Sequence, residues 1–182
     1  MIVHTTHIKD VLILEPQVFG DERGYFFESF NAERFFAHTG VDVRCVQDNE
    51  SRSKRGVLRG LHFQRAPYAQ AKLVRVVKGR VLDVAVDIRK DSPTFGRYVA
   101  VELSGDNKRQ LFIPKGFAHG YMVLEEDTIF QYKCDAYYHP AAEGGIAWDD
   151  PQIGIEWPLP EGDIILSERD KNRPLLSELC EY

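Results

Sequence analysis

Arg59 and His62 lie three positions apart in the segment VLRGLHFQ, residues 57–64, whose other long side chains are mostly apolar. Strict alternation along a strand would place these two side chains on opposite faces. Gly60 lies between them, and a glycine within a strand often marks a β-bulge, which adds one residue and redirects the side chains. We therefore expect both side chains on one face, where two basic groups favour an anion or a reacting group.

A second histidine, His119, lies in the segment PKGFAH. Gly56, five residues and then His62 resemble the first half of the first cupin motif, and PKGFAH resembles the core of the second. Gln64 stands where the first motif has its second histidine. Two histidines are fewer than the three or four ligands that zinc or non-haem iron takes. The sequence therefore predicts a cupin-type frame without a bound metal.

Short strands account for most of the chain that must position these residues. The β-branched runs in KLVRVVKGRVLDVAVDI predict two strands joined as a hairpin at residues 78–79. The segments RYVAVELS, RQLFIP, GYMVLEE and TIFQYKCDAYY continue the series. NAERFFAHTG predicts a helix, with Asn31 as N-cap, Phe35 and Phe36 on an apolar face and Gly40 at the exit.

The number and length of these strands predict an all-β fold with a few short helices, which could be a sandwich, a barrel or a double-sheet jelly roll. The resemblance to the two cupin motifs favours the cupin-type double-sheet jelly roll. A chain of 182 residues can bury one sizeable core. We expect a single domain, 1–182, with N-terminal strands. From HPAAEGGIAW onward the sequence is richer in proline and glycine, so we expect this C-terminal part to wrap over the β core.

Composition narrows the functional class. The formal net charge of −5 and the lack of a dense basic run disfavour a nucleic-acid partner. The segment MIVHTTHIKD does not resemble a signal peptide, and no stretch reaches membrane-spanning length, so no membrane partner is expected. Cys45, Cys134 and Cys180 are odd in number and widely spaced, which favours reduced thiols. We expect a soluble, cytoplasmic protein.

Five ordered segments carry a specific resemblance: GDERGYFFESFN, QDNESRSKRGVLRGLHFQ, DVAVDIRKDSPTFGRYVAVELS, IPKGFAHGYMVL and LSERDK. From Val11 to Pro174 the chain resembles the dTDP-4-dehydrorhamnose 3,5-epimerases, which are metal-free cupin-fold enzymes. The resemblance implies epimerisation of dTDP-4-dehydro-6-deoxy-D-glucose at C3 and C5 to dTDP-4-dehydro-L-rhamnose, within dTDP-L-rhamnose biosynthesis. It implies no cofactor.

Such a reaction needs a base, an acid on the opposite face and a cation near the C4 ketone oxygen. The resemblance implies that His62 is the base, that Asp170 is its partner carboxylate, that Lys72 faces the ketone oxygen and that Tyr132 is the proton donor. Asp83, on the following strand, is a candidate partner for Lys72. From the residues alone, Asp170 and Asp83 also suit solvent-exposed carboxylates, and Lys72 suits a strand edge.

Substrate binding needs cations for the diphosphate and an aromatic ring on which the nucleobase can stack. Arg23 and Arg59 suit a diphosphate because a guanidinium makes bidentate contacts. The resemblance implies that His119 adds a donor near the sugar or phosphate and that Tyr138 stacks on thymine. Arg169 departs from the family, where a lysine is common at this position. The full predicted binding set is Arg23, Glu28, Gln47, Asp48, Asn49, Arg59, Lys72, Asp83, His119, Tyr138, Glu143 and Arg169.

Other functions fit the same frame. The nearest alternative is an enzyme that epimerises at one carbon only, or a ketoisomerase, acting on a related dTDP-deoxysugar. A non-catalytic sugar-binding cupin and a metal-dependent oxygenase are further alternatives. The resemblance also implies a homodimer that exchanges N-terminal strands between its subunits.

Overall fold

Two antiparallel sheets form most of the protein, and the computed structural model describes residues 1–179. Cys180 lies outside the described residues. Numbered along the chain, the six-stranded sheet has the order β1 (Ile2–Thr5), β2 (Leu12–Glu15), β10 (Gln110–Ile113), β7 (Lys72–Lys78), β12 (Thr128–Cys134) and β5 (Gln47–Ser53). The five-stranded sheet has the order β13 (Glu143–Gly145), β6 (Leu58–Gln64), β11 (Phe117–Val123), β8 (Arg80–Asp87) and β9 (Tyr98–Ser104). A separate hairpin consists of β3 (Phe19–Asp21) and β4 (Gly24–Phe26).

The core between the two sheets comes from the alternating apolar side chains of both. Val74 and Phe130 of the six-stranded sheet pack in one cluster with Val101 and Val123 of the five-stranded sheet. These positions lie on strands whose side chains alternate between the two faces. The cupin-type double-sheet jelly roll predicted from the sequence is confirmed.

Further apolar layers cover the outer faces of both sheets. Ile146, Ile153 and Leu176 of the C-terminal segment pack with Phe63 and Val86 of the five-stranded sheet. The C-terminal segment therefore packs on the five-stranded sheet. It includes three short 3₁₀ helices (Pro140–Ala142, Glu161–Asp163 and Leu176–Glu178) and the helix α2 (Glu168–Lys171).

The predicted helix, α1 (Ala32–Thr39), covers the outer face of the six-stranded sheet. The Asn31 side chain accepts a hydrogen bond from the Arg34 N–H, and Gly40 ends the helix with φ 72°. Phe35 is buried, but Phe36 is 54% exposed. The expectation of an apolar face was therefore right for Phe35 and wrong for Phe36, because neighbouring residues point about 100° apart around a helix.

The expectation of a hairpin at residues 78–79 was wrong. β7 pairs with β10 and β12, whereas β8 pairs with β11 and β9, so the two runs belong to different sheets. Gly79, with φ +81°, passes the chain between the sheets, and a Cβ there would lie 2.2 Å from Thr128 Oγ1. A turn residue indicates where the chain reverses, but the strands that each run pairs with are set by tertiary packing.

Candidate active site

A cavity of about 780 Å³ lies between the two sheets and under the C-terminal segment. The five-stranded sheet contributes Arg59 and His62, and the six-stranded sheet contributes Lys72 and Tyr132. The structure thus brings together predicted site residues that are distant in the sequence, since Asn49 of β5 and Asp170 of α2 line the same cavity. The two sheets therefore present different groups to the cavity, a guanidinium and an imidazole from one and an ammonium and a phenol from the other.

An irregularity in β6 turns Arg59 and His62 into the same cavity. The register against β11 shifts by one residue, because His62 lies opposite His119 whereas Arg59 lies opposite Tyr121. Gly60 lies at this shift with φ +134°, and a Cβ there would meet the backbone of Gly120 at 2.5 Å. Only glycine fits so close an approach. The predicted bulge is confirmed.

His62 and Asp170 form a close pair, as expected. His62 Nε2 lies 2.5 Å from Asp170 Oδ1, and the imidazole is 34% exposed whereas the carboxylate is 5% exposed. Ser167 caps α2 by accepting a hydrogen bond from the Asp170 N–H at 3.1 Å, and its hydroxyl donates to Asp170 Oδ2 at 2.9 Å. Burial acts to raise the pKa of Asp170, but hydrogen bonds from His62 and Ser167 outweigh it and lower that pKa.

Lys72 and Tyr132 stand on the facing sheet. Lys72 Nζ lies 6.0 Å from the centroid of the Tyr132 ring. Burial lowers the pKa of Lys72 and raises the pKa of the Tyr132 phenol to about 12. The phenol is therefore protonated at neutral pH. As alternation predicts, Tyr132 shares its face of β12 with the buried Phe130 and Cys134.

Asp83 pairs with His119 and not, as proposed from sequence, with Lys72. His119 Nε2 lies 3.0 Å from Asp83 Oδ2, and Asp83 is fully buried, which also rules out the solvent-exposed alternative. β8 and β11 are neighbouring strands of one sheet, whereas Lys72 is on the other sheet. Burial lowers the pKa of His119, although the Asp83 carboxylate acts in the opposite direction.

A second cavity of about 330 Å³ shares His62, Lys72 and Tyr132 with the first and continues towards Tyr138. Its outer end is organised by Glu143. Tyr138 Oη donates to Glu143 Oε2 at 2.5 Å, and Arg169 Nη1 donates to Glu143 Oε1 at 2.8 Å. Burial acts to raise the pKa of Glu143, but the hydrogen bonds from Tyr138 and Arg173 outweigh it and lower that pKa.

The two remaining predicted residues of this outer end come from β5. The Gln47 side chain donates to Asn49 Oδ1 and accepts from the Tyr138 N–H. Both side chains therefore belong to the second cavity, which they line together with Tyr138.

The geometry of this site can be set against known proteins. A profile of the dTDP-4-dehydrorhamnose 3,5-epimerase family matches residues 5–178. The enzyme of that name from Salmonella typhimurium is 60% identical over 181 residues, covering 98% of this chain and 97% of that one. The chain belongs to the dTDP-4-dehydrorhamnose 3,5-epimerase family. The enzyme class predicted from sequence, an isomerase acting on nucleotide sugars, is confirmed.

Solved structures of this epimerase family have the same fold. The structure of the dTDP-6-deoxy-D-glucose-3,5-epimerase from Legionella pneumophila in complex with dTDP-4-keto-L-rhamnose has a TM-score of 0.94 and 53% identity, covering 97% of this chain and 93% of that one. A 3'-monoepimerase from Streptomyces bikiniensis in complex with dTDP-quinovose has a TM-score of 0.90 and 36% identity, covering 96% and 87%.

Three residues of the predicted binding set lie away from the epimerase cavity of their own chain. Arg23 is on the β3–β4 hairpin, bonded to Asp21, with its side chain 85% exposed. Glu28 forms an ion pair with Arg34 of α1 at 3.3 Å. The Asp48 side chain lies on the face of β5 opposite to that of Gln47 and Asn49, and it contacts Lys133 at 2.8 Å.

Gln64, at the position of the missing cupin histidine, has a structural role. Its amide donates to the backbone carbonyls of Tyr68 and Tyr137 and accepts from the His139 N–H. Across residues 1–179, no group of three or more His, Cys, Asp or Glu side chains is arranged to hold a metal ion. In the same residues no helix is both long and apolar enough to cross a membrane.

Sequence reasoning missed Ser167, Tyr121 and Arg173. Ser167 had a local signal, because a serine three residues before an acidic residue is typical of a helix N-cap. Tyr121 lines the cavity with its hydroxyl 2.8 Å from Ser51 Oγ, but its sequence context reads as an ordinary core strand. Arg173 lies in the charged run ERDKNR, which reads as solvated surface.

Proposed function

We propose that His62 and Tyr132 act as the base and the acid in epimerising dTDP-4-dehydro-6-deoxy-D-glucose at C3 and C5 to dTDP-4-dehydro-L-rhamnose. One observation carries this proposal: the imidazole and the phenol stand on facing sheets across one cavity. Inversion of a carbon centre needs proton removal on one face and proton return on the other. A flat enolate between the sheets has one group on each side.

His62 is the base in this scheme. Because its Nε2 is bonded to Asp170, Nδ1 is the ring nitrogen left to take the proton from the substrate. The low pKa of Asp170 keeps this carboxylate ionised, so it stabilises the imidazolium as that cation forms. General-base catalysis of this kind contributes about 10²–10⁴ in rate.

Lys72 stabilises the enolate. A hydrogen on a carbon next to a ketone is far less acidic than an imidazolium, and each unit of pKa mismatch costs about 1.4 kcal/mol. A cation fixed near the C4 oxygen lowers that difference, and it acts most strongly in a site that excludes water. Lys72 lines the same cavity as His62 and Tyr132, with its Nζ 6.0 Å from the centroid of the Tyr132 ring, which suits it to this role.

Tyr132 returns the proton. A phenol with a pKa of about 12 is protonated at neutral pH and is still more acidic than the carbon that it protonates. The Tyr132 phenolate then regains a proton from solvent, and the His62 imidazolium releases its proton to solvent, which restores both groups. No redox step is involved, so the scheme requires no cofactor.

The diphosphate and the thymine ring of the substrate are held at the two ends of the connected cavities. Arg59, whose guanidinium donates to Ser53 Oγ at 3.2 Å, faces the diphosphate, and Tyr138 offers its half-exposed ring to thymine. His119 contacts the sugar in a role that differs from the expected one. With Nε2 engaged by Asp83 and its pKa lowered by burial, the neutral ring accepts a hydrogen bond from a sugar hydroxyl through Nδ1.

Arg23 and Glu28 fit this scheme if two chains exchange their N-terminal strands. The hairpin that carries Arg23 exposes Phe19 and Phe26 by 56% and 71%, which is unusual for large apolar side chains and typical of an interface. We therefore assign Arg23 and Glu28 to the partner's site. Free thiols at Cys45 and Cys134 support the expectation of a reducing, cytoplasmic compartment.

Solvent exchange tests the proposed function. The enzyme is incubated with the 4-keto sugar nucleotide in D₂O, and deuterium at C3 and C5 is counted by NMR and mass spectrometry. We expect one deuterium at each carbon and an inverted product. A sugar-binding protein without catalysis leaves both carbons unlabelled, and that result would contradict the proposal.

Epimerisation at one carbon is the second candidate, because a 3'-monoepimerase shares the fold at 36% identity. The same experiment separates the two. A monoepimerase labels and inverts C3 alone, whereas the proposed enzyme inverts both centres.

A further inference from the structure

Arg173 connects the two carboxylates of the site. Its Nη2 donates to Glu143 Oε1 at 2.7 Å, and its Nε lies 3.8 Å from Asp170 Oδ1. The side chain is only 13% exposed, unlike that of Arg169, which is 64% exposed and also binds Glu143. Arg173 is thus a nearly buried cation beside the His62–Asp170 pair.

The guanidinium is seated against the backbone of β13. A Cβ at Gly145 would lie 2.6 Å from Arg173 Nε, so the group occupies the space that any larger residue would fill. Gly145 is the residue opposite His62 in the β13–β6 pairing. The next residue in the chain, Pro174, accepts a hydrogen bond from the Ala147 N–H at 2.8 Å, which anchors the segment. The position of this cation is therefore set by the fold.

We propose that Arg173 is a positioning residue: it ties Glu143 to Asp170, orients the Asp170 carboxylate towards His62, and places a positive charge that keeps the imidazole neutral and ready to accept a proton. This inference rests on the proposed role of His62 as the base. Through Glu143, the same contacts link the thymine-binding end of the site, at Tyr138, to the His62–Asp170 pair.

The electrostatic argument concerns a single oxygen. Asp170 Oδ1, which binds His62, is also the atom that approaches Arg173. A carboxylate beside an imidazole favours the imidazolium, and a nearby cation offsets that preference. The titratable and charged groups around His62 in the two cavities and their rim are Glu50, Arg59, Lys72, His119, Tyr121, Tyr132, Tyr138, Glu143, Arg169, Asp170 and Arg173.

The pH dependence of Arg173→Met tests the proposal. The rate of solvent deuterium exchange, as kcat/KM, falls at low pH as His62 becomes protonated. Removal of the Arg173 charge favours the imidazolium, so we expect the acid limb to move to higher pH by about one unit. NMR titration of the His62 ring should show the same shift. A merely structural contact would lower the rate equally at every pH.

Arg169→Met is the matched control. It removes a cation that binds Glu143 but leaves in place the cation beside Asp170, which is Arg173. We expect a higher KM and an unmoved acid limb. If Arg173→Met does not fold, Arg173→Gln replaces it, because glutamine is neutral but can still donate to Glu143. Failure of both variants to fold would overturn the inference. So would a folded variant whose acid limb lies within about 0.2 pH units of that of the wild type. If the wild-type enzyme shows no exchange, the proposed function fails instead, and the NMR titration still decides the role of Arg173.

Discussion

At the scale of single residues, the proposed role of His62 in the first chemical step implies that its removal should separate catalysis from binding. In His62→Asn the amide can still bond to Asp170, and Arg59 and Tyr138 are untouched. We predict that deuterium exchange at C3 and C5 falls by about 10²–10⁴ while dTDP binds nearly as well as to the wild type. Exchange is followed by NMR and binding by calorimetry.

His38→Asn is the control for this variant, because His38 lies exposed on α1 and bonds only to the Arg34 carbonyl among the hydrogen bonds of the described residues. It should exchange at the wild-type rate. Turnover of His62→Asn close to that of the wild type would show that another group is the base.

The residue scale also shows what a sequence can and cannot predict. The close contact of His62 with Asp170 was predicted, because both residues lie in motifs of a recognisable family. The contact of Asp83 with His119 was not, since it depends on which strands become neighbours. Arg173 was overlooked because burial of a charged residue is decided by how distant segments pack, and its local sequence is typical of surface.

At the scale of elements, the loop after β8 is organised by one buried carboxylate. Asp87 accepts hydrogen bonds from Arg89 Nη2 at 2.7 Å and from the hydroxyls of Ser92 and Thr94 at 2.6 Å. Burial acts to raise the pKa of Asp87, but these hydrogen bonds outweigh it and hold the pKa at about 2. The segment DSPTFG is thereby fixed against the end of the strand.

This arrangement predicts a pH-dependent loss of stability in Asp87→Asn. The folded pKa lies below the unfolded value of about 3.9, so the ionised carboxylate stabilises the fold above about pH 4, and this contribution is lost as pH falls towards about 2. We expect the variant to lose about 2 kcal/mol in free energy of unfolding at pH 7 and about half as much near pH 3. Urea unfolding at both values measures it.

Asp91→Asn, at an exposed position of the same loop, is the control and should match the wild type at both pH values. An equal loss at pH 7 and pH 3 for Asp87→Asn would show that the ionised form has no special role.

The elements differ in how well local sequence predicts them. The caps of α1 and the bulge at Gly60 follow from residue types that the backbone requires at those positions. The pairing of β7 and β8 does not, because Gly79 permits either a hairpin or a passage between sheets. Burial of apolar faces against other strands decides between the two, and those strands are distant in the sequence.

At the scale of the whole molecule, the proposed exchange of N-terminal strands predicts that defects in two chains can complement each other. Arg23→Ala and His62→Asn are each expected to be impaired alone. In a mixed dimer, the site of the Arg23→Ala chain keeps His62 and receives Arg23 from its partner. Random reassociation of equal amounts should therefore restore about a quarter of the wild-type rate, since half the dimers are mixed and half their sites are intact.

The mixed dimer needs denaturation and joint refolding, and light scattering confirms its mass. Each variant refolded alone is the control. If Arg23 served its own chain, both sites of the mixed dimer would be defective, and the mixture would show only the average of the two variants.

The central claim is that a proton leaves the sugar towards one sheet and returns from the other. Tyr132→Phe in D₂O tests it most directly, because this change keeps the ring and removes only the hydroxyl. With His62 and Lys72 intact, we predict that substrate continues to exchange hydrogen for deuterium while inverted product forms far more slowly. Unchanged inversion would contradict the claim, since the returning proton would then come from a group other than Tyr132.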